Sequence, residues 1–288
     1  MKMEDTRMES IIKQTDRLLD LLGHDEAPFG VCYSDTKPDG FGPRPGEIFT
    51  REREKAGEIN WDNAFGNNFS CLMGNVWLAR KKRKAAWISH EECGCMGGGF
   101  YSGMYAPYLE TNVRYVSTGF PGTPFEGERY LPSLESMRAF MEDIAPPAAP
   151  KKYCVIKPLE QFAETEQPLV IAFFARPEVI NGLCSLTFYA TGDHNAVASP
   201  FSAGCGSIIA WPLTYWQRGE KRAVLGGFDL SARKFMKTDE LSFAIPFPLY
   251  REMLDVMEAS ALSRKTWSGV RKKVFRSRRA WGEEEKRV

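Results

Sequence analysis

The sequence has no apolar run approaching the roughly 20 residues that a membrane-spanning helix needs, which excludes a helical integral membrane protein. It also lacks a charge bias. Its 38 Lys and Arg stand against 37 Asp and Glu, so no global field draws it to nucleic acid or to an anionic membrane surface. Residues 1–23, "MKMEDTRMESIIKQTDRLLDLLG", carry acids throughout and no apolar stretch of export-signal length, which predicts a cytoplasmic chain. Histidine is scarce, three in 288 residues. A nucleophile elbow, a Walker loop, a GxGxxG fingerprint and HExxH are all missing. So are a C-x-x-C pair and a ferredoxin cysteine run, which removes the compact zinc knuckle and the familiar cluster spacings.

Cysteine itself is present in an odd number: Cys32, Cys71, Cys93, Cys95, Cys154, Cys184 and Cys205. In a reducing compartment seven such residues read as thiols or metal ligands, not as a disulfide framework. Two of them sit one residue apart in "HEECGCMGGGFYSGM", residues 90–104, beside three consecutive glycines. Bare backbone of this kind suits a loop that must approach a metal or sulfide and offer its N–H groups to sulfur. It equally suits a tight turn or a redox dithiol.

Local patterning predicts alternating helices and strands. Residues 6–22 repeat apolar positions at helical spacing, with Gly23 at the C-cap, and "PFGVCYSD" follows as a strand. From Thr36 to Asn60 the chain is polar and rich in Pro and Gly, and reads as a long excursion. "NAFGNNFSCLMGNVWLARKKRK" reads as a helix and "AAWISH" and "NVRYVST" as strands. "SLESMRAFMEDI" reads as a helix capped by Ser133. After the proline-rich "APPAAPKKY" come the strand "PLVIAFFAR", the helix "PEVINGLCSLTFYAT", a buried segment "SIIAWPLTYW", the strands "RAVLGGFDL" and "ELSFAIP", and the helix "PLYREMLDVMEASAL".

The fold class expected is α+β, with an N-terminal half over residues 1–145, a C-terminal half over 151–262, and an added basic helix or tail over 263–288. In each half a strand precedes a helix carrying one cysteine, and a Gly-flanked cysteine follows. Cys71 to Cys93 matches Cys184 to Cys205 in spacing. That similarity admits an internal duplication, whose pseudo-twofold axis would bring the glycine loops "ECGCMGGG" and "SAGCGS" to one shared site.

Thiolates brought together are the natural ligands of zinc and of iron–sulfur clusters. The candidate metal or cofactor ligands are Cys71, Cys93, Cys95 and Cys205, with Cys184 in reserve. Ligands drawn from separate elements favour a cluster over structural zinc. His90, just before the glycine loop, is a candidate ligand or proton donor. Asp229, Ser231 and Arg233 form a polar group after a strand, and Arg233 is a candidate partner for an anionic ligand. The tail "SRKTWSGVRKKVFRSRRAWGEEEKRV" predicts an amphipathic basic helix, but its acidic ending weakens any case for nucleic acid.

The segments "FSCLMGNVWLAR", "HEECGCMGGGFYSGM", "PLVIAFFARPEVING" and "SPFSAGCGSIIAWPL", with "AVLGGFDLSARKF" and "LSFAIPFPLY" after them, together resemble the domain of unknown function 169 family, from about Ile12 to Leu254. The basic helix lies outside the resemblance. The family occurs among archaea and anaerobic bacteria and has no settled activity, so the resemblance implies an oxygen-poor setting rather than a reaction. It matches Cys71, Cys93 and Cys205 to cysteine-containing segments and leaves Cys95 untied. The expectation is an iron–sulfur or related metal-binding protein of anaerobic metabolism, redox, sensing or ligand-activating, working with a redox partner or a small molecule. Whether it is an enzyme stays open. The alternative is a metal-free protein or enzyme that binds an organic anion under the glycine loop.

Overall fold

The structure is a computed structural model that describes residues 8–44, 50–60, 70–105, 108–122, 126–144 and 146–281. Its frame is a mixed sheet built on β5 (Val170–Ala175), a run of six residues buried on both faces, as an uninterrupted apolar strand requires. Around it lie β1 (Phe29–Ser34), β2 (Gly40–Phe41), β3 (Ala85–Ser89), β4 (Tyr153–Pro158), β6 (Val197–Ala198), β7 (Ala223–Gly226) and β8 (Leu241–Pro246), in the order β2-β3-β4-β1-β5-β8-β7-β6. This is the expected α+β class.

The strand order reads the same from either edge once β1 is exchanged with β5, β2 with β6, β3 with β7 and β4 with β8. The pairing sense follows the same exchange: β2 and β3 are parallel, as are β6 and β7, and the other neighbours are antiparallel. The two sets of four strands meet at β1 and β5, where Phe29 pairs with Ala172 and Val31 with Val170. Both halves thus share one sheet. The proline-rich connector lies before β4, inside the first set of strands, and the sets divide between β4 and β5, at residues 159–169. The symmetry is one of strand order.

Side-chain alternation along the strands sends neighbours to opposite faces. On one face Cys32, Trp87, Val155, Ile171, Phe173 and Phe243 pack with α1 (Met8–Leu22). On the other, Val31, Ala86, Ile88, Cys154 and Ile156 face a second core. After α2 (Arg51–Ala56), that second core is covered by α3 (Leu72–Lys82), α4 (Met96–Tyr101), α5 (Glu110–Val116) and α6 (Leu134–Ile144). Ser133 caps α6 as expected, its hydroxyl accepting the Ser136 N–H at 3.1 Å. In the second half, α7 (Pro177–Thr191) lies with α1 on the first face. The segment around Ile208 lies on the second face, where a π-helical turn, Gly206–Ala210, runs into α8 (Trp211–Gln217). α9 (Leu230–Arg233) follows β7, and α10 (Phe247–Val256) packs on the first face.

The expected C-terminal helix is α11 (Lys265–Ala280). It docks by burying Trp267, whose indole N–H reaches the Leu21 carbonyl at 2.8 Å, and through Arg271, which donates to the Leu21 carbonyl at 3.1 Å. The end of α1 is thereby capped by a segment 250 residues away in sequence.

Two local expectations fail for tertiary reasons. "NVRYVST" was expected as a strand from its β-branched content, yet residues 110–116 are helical. Glu54 of α2 accepts the Glu110 and Thr111 N–H groups at 3.1 and 2.7 Å, so a carboxylate from a distant segment caps the free amides of the first turn. The excursion after Thr36 is also not bare loop, since it holds β2 and α2. Residues 63–69 of the helix expected before Leu72 lie outside the described residues.

Candidate functional site

Each half places a cysteine where a helix begins between its parallel strands. Cys71 precedes α3, between β2 and β3, and Cys205 precedes the π-helical turn between β6 and β7. The loops leaving β3 and β7 supply the next pair. Cys95 immediately precedes α4. Asp229 immediately precedes α9, its carbonyl accepting from Ala232 and Arg233 at 3.2 and 3.0 Å. Strand order therefore matches Cys71 with Cys205 and Cys95 with Asp229. The spacing argument had instead matched Cys71 with Cys184 and Cys93 with Cys205.

These four residues line one cavity of about 120 Å³, together with Glu128, Asn112 and other side chains. Cys205 is 5% exposed and Asp229 1%. The Cys95 sulfur accepts the Gly98 N–H at 3.3 Å. The Cys71 thiol is brought down to about 7, first by the hydrogen bond it takes from the Cys95 thiol and further by the N–H groups of Gly74 and Met73. The same contact pushes Cys95 up, and burial adds to it. Burial, and then the charges of Cys71 and Asp229, push Cys205 up. The pair is thus unequal, Cys71 ionising near neutral pH while Cys95 keeps the proton it donates.

The rest of the wall is polar. Asp229 Oδ2 accepts the Gly204 N–H at 3.2 Å, and its Oδ1 accepts the Tyr130 hydroxyl. Burial and the neighbouring Asp229 raise the Glu128 carboxyl to about 7. Asn112 is 2% exposed, and its buried side-chain nitrogen has no hydrogen-bond partner among the described residues. Gly97 faces open space where a Cβ would meet nothing within 4 Å.

The remaining expected residues lie elsewhere. Cys93 turns away from the cavity because Gly94 between the two thiols adopts φ +62°, a left-handed conformation that glycine accommodates freely. Its thiol donates to the Cys95 carbonyl at 2.9 Å, and burial raises it to about 11. Cys184 belongs to α7, on the opposite face of the sheet. His90 is exposed and stands edge-on to Tyr105, ring centres 5.8 Å apart. Arg233 fastens the loop between β7 and β8, donating to the carbonyls of Glu240 at 2.6 Å, Thr238 at 2.9 Å and Lys237 at 3.0 Å. Its guanidinium is committed to backbone. Lys234 is the basic residue that lines the cavity. Glu128, Asn112 and Tyr130 had no motif to mark them, and only the fold brings them to the thiols.

Among the described residues no three His, Cys, Asp or Glu side chains converge closely enough to hold a single metal ion as they stand. The thiols surround a space instead of meeting at a point. Among the described residues no helix is long and apolar enough to cross a membrane. A family model described as DUF169, uncharacterised ArCR, matches residues 17–256. No curated protein and no solved structure matches the chain.

Proposed function

The chain belongs to the domain of unknown function 169 family, and we propose that it binds an iron–sulfur cluster in the cavity framed by Cys71, Cys95 and Cys205, in a redox, sensing or ligand-activating role. One observation carries this reading: three thiols from three helix starts, in two halves of the sheet, line one buried cavity. Cluster ligands are thiolates set around a multi-atom inorganic core, and a cavity walled by spaced thiols suits that better than zinc, whose ligands converge at about 2.3 Å. The Gly98 N–H on Cys95 is the kind of bond that tunes such a sulfur. Cys71, already near ionisation at neutral pH, is the first ligand to deprotonate.

Asp229, on the same wall, would be the residue to supply a fourth donor, or to face a small molecule if that position stayed open. When bound, the cluster supplies electron transfer or Lewis acidity. Tyr130 orients the Asp229 carboxylate, and Glu128 holds a proton near neutral pH. The organic-anion alternative draws less support, because Arg233 is taken by backbone carbonyls and the Asp229 carboxylate shares the cavity wall with the Lys234 ammonium. Purification without air, followed by reconstitution with iron and sulfide, tests the reading. Broad visible absorption that Cys71→Ser diminishes supports it, and a colourless protein after reconstitution overturns it.

A further inference from the structure

Cys71 and Cys95 both line the thiol cavity and both belong to the first half of the sheet. The segments that carry them are joined directly. One residue ahead of each cysteine, the Ser70 N–H donates to the Gly94 carbonyl at 2.9 Å. The helix starts that follow are packed together as well: a Cβ on Gly98 of α4 would lie 3.2 Å from the Leu72 Cβ of α3 and 3.5 Å from the Cys95 sulfur. The thiols themselves are hydrogen-bonded, Cys95 donating to Cys71. A disulfide asks for Cα atoms about 4.4–6.8 Å apart, and the backbone bond at Ser70 holds the two segments at that order of separation. Both cysteines lie outside the strands, so linking them leaves the sheet untouched.

The other thiols of this region are placed differently. Cys93 is buried and donates to the Cys95 carbonyl at 2.9 Å. Cys205 is 5% exposed and enters from the other half. Cys71 and Cys95 are only half-buried, and Gly97 beside them faces open space.

We propose that Cys71 and Cys95 form a reversible dithiol–disulfide couple that reduces a small hydroperoxide. The Cys71 sulfur, as thiolate, attacks a peroxide oxygen and the O–O bond breaks. The leaving hydroxide takes up the proton that the thiol gave up, and Cys71 becomes a sulfenic acid. The Cys95 sulfur then attacks the Cys71 sulfur, an S–S bond forms as the S–O bond breaks, and the Cys95 proton leaves with the hydroxyl as water. Two electrons pass from two thiols to one peroxide, and an external dithiol restores both thiols by exchange. That the disulfide also bars a cluster from the cavity rests on the cluster reading; the couple itself does not.

The test treats metal-free, full-length protein with one equivalent of hydrogen peroxide. Peptide mapping should show a Cys71–Cys95 link, and two of the seven thiols should be lost to alkylation in urea, both changes reversed by dithiothreitol. Cys95→Ser should lose the link and leave on Cys71 a sulfenic acid that dimedone traps, while Cys205→Ser should keep the link. Absence of any link overturns the proposal. So does a link from Cys71 to Cys205 in its place, or passage of Cys71 straight to sulfinic acid. Should Cys95→Ser misfold, the wild-type map and Cys205→Ser decide. A link in protein that takes up no cluster leaves the couple standing and removes the cluster reading, and a cluster without a link does the reverse. Where both form, oxidation before reconstitution should abolish most iron and sulfide uptake, and undiminished uptake contradicts the barring role.

Discussion

Cys71 and Cys205 occupy the same place in the two halves of the sheet, each at the start of a helix within the segment that links two parallel strands. They line one cavity, and each is separated by one strand from the second lining residue of its own half, Cys95 or Asp229. The wall is alike in position but unlike in chemistry, with two thiols from the first half and a thiol and a carboxylate from the second. A centre held there meets soft ligands on one side and an oxygen donor on the other.

The contact between Cys95 and Cys71 makes the two thiols unequal. In metal-free protein, iodoacetamide should modify Cys71 with a half-maximal rate near pH 7, ahead of Cys95 and Cys205. Cys95→Ala removes the donor and should move that midpoint upward, toward the ordinary thiol value of 9.0. Peptide mapping by mass spectrometry checks both points, and an unmoved midpoint contradicts the assignment.

The glycine run has unequal members. A Cβ on Gly99 would lie 2.3 Å from the Tyr105 ring and 2.9 Å from the Cys93 sulfur, whereas one on Gly97 meets nothing. Gly99→Ala should destabilise the protein by about 1–3 kcal/mol, the range for overpacking a core. Gly97→Ala should leave the melting temperature near that of the wild type. Urea titration of both variants measures the difference.

Arg80 holds together two ends of the fold. It pairs with Glu240, whose side chain is 3% exposed, at 2.9 Å, and with Glu26 at 2.7 Å, while its guanidinium lies over the Phe174 ring. Arg80→Ala leaves the buried Glu240 carboxylate with only the exposed Lys237 ammonium, 3.5 Å away, as a charge partner, a loss of about 3 kcal/mol, the low end for breaking a buried pair. A melting shift no larger than that of Arg17→Ala, at an exposed pair, would contradict this.

Burial raises the Glu128 carboxyl from 4.5 to about 7 in the folded chain. A carboxyl raised in this way contributes stability that is fully present below its unfolded value and is lost as pH rises through its folded value. Glu128→Gln should therefore gain stability over the wild type between pH 4.5 and 7 and hold that gain above pH 7. The gain should be of order 1 kcal/mol, since the group is partly screened by solvent. Thermal melts across pH show it, and a pH-independent difference would rule it out.

Where the sequence carried a local signal, the fold followed it. The apolar run at Val170–Ala175 became the central strand, Ser133 capped its helix, and of the heptad-spaced Trp267, Val270, Val274 and Trp281 in the C-terminal helix Trp267 is buried while Trp281 is 80% exposed. Information held in tertiary contacts was not legible. Glu54 makes residues 110–116 a helix from 56 residues away, against their own β-branched bias. At the candidate site, residue type pointed to Cys71, Cys95 and Cys205 but not to the direction of their neighbours. One left-handed glycine sends Cys93 out of the cavity, and a sheet separates Cys184 from it. Asp229 was visible as part of a polar group, but its place opposite Cys95 comes only from strand order.

Iron and sulfide content per chain, after reconstitution without air, tests the central claim most directly when measured across four single variants. The account predicts that wild type and Cys184→Ser hold both elements in equal ratio, and that Cys71→Ser, Cys95→Ser and Cys205→Ser lose most of them. Wild-type protein that retains neither element, or a loss in Cys184→Ser equal to that in Cys205→Ser, would contradict it.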